Sequence, residues 1–199
     1  MIALTRRWCL IAVVWAPLAL GISAQALSVR VDNDYLRVNA PQLEFLTGKP
    51  LARLEDGNTV NYFGQLTVAT GPERTVQSRS VVRFAFSYDI WTKRFKVTVM
   101  TPGSQLRPSA KNLTREAAQA WCLDQLKIDL ARVPAEHPVY VRVEMRSEDP
   151  RDADRIIGDG GINLSGIIAV FSRPVKDKQV HVAEEIGPVT LAELRKPHP

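Results

Sequence analysis

The sequence predicts a strand-rich α+β fold, in which one long and one shorter helix pack on an antiparallel sheet or on a sandwich of sheets. Apolar and polar residues alternate over residues 80–100 and again over residues 139–145, which is the period of a half-buried strand. Between these segments, apolar residues recur at helical spacing over residues 114–131. Strands and helices do not alternate regularly along the chain, which argues against a doubly wound parallel sheet.

The first part of the fold is predicted to consist of short strands. Residues 27–32 alternate apolar and polar side chains, and residues 35–38 and 43–46 continue as extended pieces. One helical turn is expected over residues 50–55, because proline favours the first position of a helix and a glycine follows the end of this segment.

The next two segments predict longer strands. Residues 60–68 form a strand in which Gly64 indicates a bulge or a close contact with another backbone. Residues 80–100 form two alternating strands around a turn at residues 89–93, which is typical of an antiparallel hairpin. The aromatic face of this hairpin is expected to point inward, and it consists of Val82, Phe84, Phe86, Tyr88, Phe95, Val97 and Val99.

Another alternating strand is predicted over residues 139–145. Its apolar side chains would share one buried face. Its opposite face is expected to meet solvent, and it carries Tyr140, Arg142, Glu144 and Arg146.

The long helix is predicted over residues 114–131, where the apolar stripe consists of Ala118, Cys122, Leu126 and Leu130. Because Cys122 lies in the middle of this stripe, we expect a buried and unreactive thiol. The shorter helix is expected over residues 164–172. A strand over residues 179–183 and a last turn over residues 189–194 complete the prediction.

Residues 1–26 have the composition of a cleavable signal peptide. Arg6 and Arg7 precede an apolar run that is too short to span a bilayer stably. Ala24 and Ala26 form the small-x-small pattern that signal peptidases cut. The sequence therefore predicts export to the periplasm or the medium, and the paired arginines leave both the general secretory and the twin-arginine routes open.

Removal of that segment would leave residues 27–199, which we expect to form one β-rich domain with a short C-terminal extension from about residue 175. The whole chain has 26 Lys and Arg and 21 Asp and Glu, a formal charge of +5. Residues 1–26 hold two arginines and no acid, which leaves +3. Such a weak basic balance argues against a nucleic-acid partner, and a single remaining cysteine excludes an intramolecular disulfide.

One candidate site is an acidic run, in which Glu148, Asp149, Asp152 and Asp154 could supply a carboxylate pair for acid–base catalysis. A calcium loop is not predicted, because no glutamate closes the run. The three histidines His137, His181 and His198 lack the spacing of a zinc site. The sequence therefore predicts neither a metal nor a cofactor.

The other candidate site is the turn of the predicted hairpin. Trp91 stands beside Lys93, Arg94 and Lys96, a combination that could contact an anionic headgroup or a glycan. The alternative is an ordinary cationic turn whose tryptophan covers the edge of the core.

Residues 83–99, with the sequence RFAFSYDIWTKRFKVTV, resemble a pattern in a family of exported bacterial proteins of unknown function. In that family, a strand ending in Ser-Tyr leads through a short turn to an aromatic-rich strand. The resemblance implies a β-rich envelope protein. Since that family has no established activity, it implies no role for any single residue.

These observations favour an exported cell-envelope domain that binds a partner, an envelope protein or a glycan, without catalysis. A periplasmic enzyme with a carboxylate-based site is one alternative. A peripheral module that contacts membrane or glycan through its basic, aromatic turn is another. The sequence does not indicate an oligomeric state.

Overall fold

The computed structural model of the chain describes residues 27–100, 107–133, 136–149, 157–158, 161–162, 164–176 and 179–195. The strands are β1 (Ser28–Asp32), β2 (Tyr35–Asn39), β3 (Val60–Thr70), β4 (Thr75–Asp89), β5 (Arg94–Met100), β6 (Ser109–Leu113), β7 (Lys127–Asp129), β8 (Val139–Ser147), β9 (Ile157–Gly158), β10 (Gly161–Ile162) and β11 (His181–Val189). The helices are α1 (Gly48–Glu55), α2 (Arg115–Gln125), α3 (Leu164–Ser172) and α4 (Leu191–Leu194), with a 3-10 turn at Leu130–Arg132.

The main sheet has six antiparallel strands in the order β11-β8-β3-β4-β5-β6. A second antiparallel sheet has the order β1-β2-β7, and β9 pairs with β10 in a small hairpin. The strand-rich α+β class is therefore confirmed, and the helices pack on a mainly antiparallel framework.

The core lies between one face of the main sheet and a layer made of the small sheet, α1, α2 and α4. Phe84 and Phe86 of β4 are fully buried there, which confirms the inward aromatic face of the hairpin. Phe45, Tyr62 and Phe86 form an aromatic cluster with ring centroids 5.4 to 6.2 Å apart in edge-on or tilted geometry. These are the distances and angles at which aromatic rings attract each other.

Gly64 leaves room for side chains that pack directly over the backbone of β3. A Cβ atom at this position would lie 2.9 Å from Phe84 Cε2 and 3.2 Å from Leu126 Cδ1. No register shift occurs at Gly64, since the shift in the β3–β4 pairing falls between Val68 and Ala69. All three atoms nearest to that position belong to side chains, so close side-chain packing, rather than the predicted bulge or backbone contact, explains the glycine in this strand.

The second face of the main sheet, defined here as the face opposite the core, is partly covered by α3. Phe63 and Val81 from the sheet pack against Ile167 and Val170 from α3. The predicted solvated face of β8 is wrong in part, because Glu144 and Arg146 are buried, Glu144 among Gln65, Arg142 and His181 and Arg146 under α3. Arg146 donates hydrogen bonds to the carbonyls of Val170, Arg173 and Pro174 and to the side chain of Gln179. A cation in this position is favoured by the dipole of α3, whose C-terminal end it meets.

The predicted helix over residues 114–131 is also wrong in length, because α2 ends at Gln125. Leu126 adopts extended backbone angles, and Lys127–Asp129 pair with β2 as β7. Leu126 and Leu130 are nevertheless buried in the core. The apolar residues with helical spacing therefore lie in a helix, a strand and a 3-10 turn in succession. The helix ends early because the backbone of Lys127–Asp129 forms its hydrogen bonds with β2 instead.

Residues 43–46 form a loop rather than a strand. The side-chain oxygen of Gln119 in α2 accepts hydrogen bonds from the backbone nitrogens of Phe45 (2.8 Å) and Leu46 (2.9 Å). These donors are therefore satisfied without a neighbouring strand.

The remaining segments follow the predictions closely. The helical turn at residues 50–55 lies within α1, the strand at residues 60–68 lies within β3, and the shorter helix coincides with α3. The strand β6 was not predicted. The strand β11 runs to Val189, and Leu191 and Leu194 of α4 are buried in the core.

Candidate functional site

The candidate site is the hairpin tip, defined as residues 89–94 between β4 and β5. Asp89 and Arg94 are paired at the end of the two strands. Asp89 Oδ1 accepts hydrogen bonds from the backbone nitrogens of Trp91 (2.9 Å) and Thr92 (3.1 Å). These bonds, with that of Thr92 the largest contribution, lower the pKa of the Asp89 carboxyl. Lys93 closes the turn with a left-handed backbone (φ 54°). The carboxylate thus holds the turn in one conformation.

The apex of the hairpin tip is apolar and exposed. Trp91 is 90% exposed and Ile90 is 52% exposed. Among the residues that the structure describes, the other large exposed apolar side chains are Tyr35, Val76 and Val175, and none of these is next to another in sequence. Within the described residues, the hairpin tip is therefore where two large exposed apolar side chains are adjacent in sequence.

Cationic side chains stand behind this apex. Lys93 is exposed and Arg94 is half-buried, and both line a shallow open groove of about 260 Å³. Lys96 is also exposed, but it is paired with Ser87 on the second face of the sheet, away from the groove. The structure therefore places the predicted basic residues on two sides of the hairpin.

The groove joins the hairpin to both neighbouring helices. It is lined by Leu51 and Glu55 of α1, by Tyr88, Lys93, Arg94 and Phe95 of the hairpin, and by Thr114, Arg115 and Glu116 at the start of α2. The rings of Tyr88 and Phe95 form its floor, with centroids 4.9 Å apart. Thr114 caps α2 by accepting a hydrogen bond from the backbone of Ala117 (3.2 Å). Arg115 Nε lies 3.5 Å from Glu116 Oε1, so this acid is already paired with a cation.

Of the four carboxylates of the acidic run, the structure describes Glu148 and Asp149, and each is paired with a cation. Glu148 is buried, and its carboxylate accepts a 2.7 Å hydrogen bond from Arg83. Asp149 accepts a 2.6 Å hydrogen bond from Lys176 Nζ. Asp152 and Asp154 lie outside the described residues.

Two of the three histidines, His137 and His181, lie far from the hairpin tip, and His198 lies outside the described residues. His137 lines an open depression with Tyr140 and Pro188 at the other end of β3 and β4. His181 Nε2 lies 3.4 Å from Glu144 Oε1 on the second face. The described residues contain no group of three or more His, Cys, Asp or Glu side chains placed to hold a metal ion.

Cys122 is fully buried in α2. Burial raises the pKa of its thiol well above the usual value. This thiol is therefore protonated at neutral pH and has no access to reagents, as expected for a cysteine that packs as a small apolar residue.

Sequence reasoning missed two features around the site. Leu51 and Glu55 of α1 and Arg115 of α2 come from elements distant in sequence, which only the fold brings to the hairpin. The buried pair of Arg83 and Glu148 carries no sequence signal, because an arginine in an alternating strand is typical of a solvated face.

No protein-family model matches the chain, and neither the curated proteins nor the solved structures that were searched contain a match.

Within the described ranges, no helix combines the length and the apolar character needed to cross a membrane. Ala24 and Ala26 of the predicted cleavage site lie outside those ranges.

Proposed function

We propose that the chain is an exported, non-catalytic binding domain, which contacts a component of the cell envelope with its hairpin tip. The support for export is the composition of residues 1–26: paired arginines, an apolar run and two small residues before Leu27. The support for binding is the surface that Ile90 and Trp91 present.

The observation that carries this proposal is the exposure of Trp91 on an ordered turn. Tryptophan and arginine are enriched among the residues that dominate binding energies at interfaces. The two backbone bonds to Asp89 order the turn before any contact is made, so little conformational entropy is lost on binding. An apolar side chain that is 90% exposed also contributes little to the stability of the fold.

The proposal of a non-catalytic role is supported by the state of the described carboxylates. General acid–base catalysis needs a carboxyl group that faces a cleft and can exchange its proton. Glu148 is buried in an ion pair with Arg83, and Asp149 is bonded to Lys176. Neither carboxylate is placed as a proton donor to a substrate.

Site-specific crosslinking in the producing cell tests this function. A photoreactive phenylalanine analogue is placed at Trp91 and, as a matched control, at Val76. Val76 is also exposed and apolar, but it lies near the opposite end of β4. We expect a light-dependent adduct with an envelope component from position 91 and none from position 76. Equal adducts at both positions, or none at position 91, would contradict the proposal.

A further inference from the structure

The side chains of the hairpin tip indicate which chemical class of envelope component it contacts. Resting on the proposed function, we infer that this component is the surface of an anionic lipid bilayer, which Ile90 and Trp91 enter while the flanking cations bind lipid headgroups.

The apex has the composition of a lipid contact rather than of a glycan contact. Tryptophan is enriched at the headgroup level of membranes, where its ring is partly apolar and its indole N–H remains hydrated. Ile90 beside it offers an aliphatic side chain, which contributes apolar area but has neither a flat face for stacking nor a polar atom for a sugar hydroxyl. An acyl-chain boundary takes up both side chains together.

The charges around the apex complement an anionic surface. Lys93 and Arg94 line the groove, Lys96 lies on the other side of the hairpin, and Arg115 of α2 lines the groove next to its partner Glu116. Three acids lie nearby: Asp89 accepts the two bonds of the turn, Glu116 is paired with Arg115, and Glu55 of α1 also lines the groove. Against these three acids, the four cations Lys93, Arg94, Lys96 and Arg115 leave an excess of one positive charge. Each lysine or arginine close to an anionic membrane strengthens binding about fivefold.

The shape of the tip also fits a surface that deforms around it. Ile90 and Trp91 project from the end of a two-stranded hairpin, and the adjoining groove is shallow. A lipid surface accepts such a convex apex without a preformed pocket. With two apolar side chains and a few cations, the contact is peripheral, reversible and sensitive to salt.

The test uses the full-length chain and a reporter within the tip. Cys9→Ser removes the N-terminal thiol, and Thr92→Cys carries an environment-sensitive NBD label next to Trp91. The control places the same label at Val76→Cys. Since only insertion of the labelled site shifts NBD emission, any membrane contact made elsewhere in the chain does not mimic the expected result.

With vesicles of phosphatidylcholine and phosphatidylglycerol, we expect the emission of the label at position 92 to shift to the blue and to intensify. The label at position 76 remains in water. Pure phosphatidylcholine vesicles, or 0.5 M salt, abolish the change at position 92.

Variants separate the apolar and the cationic parts of the contact. Lys93→Glu/Lys96→Glu lowers the apparent affinity for anionic vesicles at least about tenfold, since it replaces two attractions by repulsions. Lys49→Glu/Lys127→Glu makes the same change in net charge at exposed positions outside the tip and leaves the affinity within about twofold. Trp91→Ala in the labelled chain reduces the blue shift.

Three outcomes would overturn the lipid assignment: an unchanged label at position 92, equal changes at positions 92 and 76, or equal losses in the two lysine double variants. If position 92 stays in water while the photoreactive residue at position 91 still forms an adduct with an envelope protein or glycan, the binding function stands and only the lipid assignment fails. If both experiments are negative, both proposals fail.

Discussion

Arg83 Nη2 lies 2.7 Å from Glu148 Oε2 in the interior of the protein, where the two side chains are 7% and 3% exposed. This pair joins the centre of β4 to the segment that follows β8. The backbone nitrogen of Glu148 also donates to the carbonyl of Asn61 in β3, at 2.8 Å. One carboxylate-bearing residue therefore connects three strands of the main sheet.

Glu148→Ala is expected to lower the free energy of unfolding by about 3–5 kcal/mol, because it leaves the Arg83 guanidinium buried without its counter-ion. Urea denaturation followed by circular dichroism measures this loss. Arg83→Met/Glu148→Leu removes both charges and should recover most of the stability. Arg30→Ala breaks an exposed ion pair with Asp124 and should cost less than about 1 kcal/mol. Equal effects of Glu148→Ala and Arg30→Ala would show that the buried pair is unimportant.

Gly64→Ala should destabilise the protein by about 1–3 kcal/mol, since the new methyl group would overlap Phe84 and press on Met145 and Leu126. Thermal unfolding measures this effect. Phe84→Leu in the same chain removes the closest atom, so the double variant should lose less stability than the sum of the two single variants. Strict additivity would mean that Phe84 does not cause the strain.

Asp89→Ala should loosen the hairpin tip without unfolding the sheet, because it removes the acceptor of the Trp91 and Thr92 nitrogens. Asp89→Asn keeps an oxygen in the same place and should preserve the turn. Backbone ¹⁵N relaxation at residues 90–93 is the measurement, with lower order parameters expected for the alanine variant alone.

The same turn has a predictable pH dependence. The pKa of Asp89 is lower in the folded protein than its usual value of 3.8, so the turn is fully ordered above that pH. As the pH falls through the folded pKa, the neutral carboxyl still accepts both bonds but more weakly, so the turn should loosen slightly, towards the Asp89→Asn variant and less than in Asp89→Ala. Relaxation at residues 90–93 that stayed constant while the Asp89 carboxyl is itself observed to titrate would contradict this role of the carboxylate.

Cys122 should resist thiol reagents in the folded Cys9→Ser protein and react at once after denaturation. The thiol pKa is higher in the folded than in the unfolded protein, so the unfolded state loses its proton first as the pH rises. Stability should therefore fall above about pH 9, by up to about 1.4 kcal/mol per pH unit.

Cys122→Ala removes this slope and is the control for it. Burial also raises the pKa of Tyr62, which contributes a similar loss only above about pH 10. Urea unfolding at several pH values from 8 to 10 therefore isolates the cysteine. Rapid labelling of the native thiol would contradict its burial.

The parts of the fold that the sequence predicted are those governed by local patterns. The hairpin of β4 and β5 was predictable because its apolar side chains alternate, and α3 because its residues are almost all apolar. The end of α2 was not predictable, since pairing of Lys127–Asp129 with β2 depends on residues that lie far away in the sequence. The same reason explains the error at Arg146, whose strand gives no sign that α3 covers it.

The candidate site was predictable to a similar extent. Trp91, Lys93 and Arg94 were identified from their positions in a turn, and the structure places them together at its tip. The separation of Lys96 onto the second face follows from strand alternation, which the sequence contains. The position of Arg115 in the groove could not be predicted from the sequence, because it depends on the packing of α2 beside the hairpin.

The strand order of the main sheet means that the two neighbours of β3 become available at different times during synthesis. The central strand β3 pairs with β4 at once, but its other partner, β8, leaves the ribosome about 70 residues later, which takes several seconds at about 5–20 residues per second. During that interval one edge of β3 is open, and the nascent chain can neither complete its sheet nor bury Tyr62 fully. Since β11 pairs with β8 at the edge of the sheet, the six-stranded sheet can be complete only when the chain is available as far as residue 189.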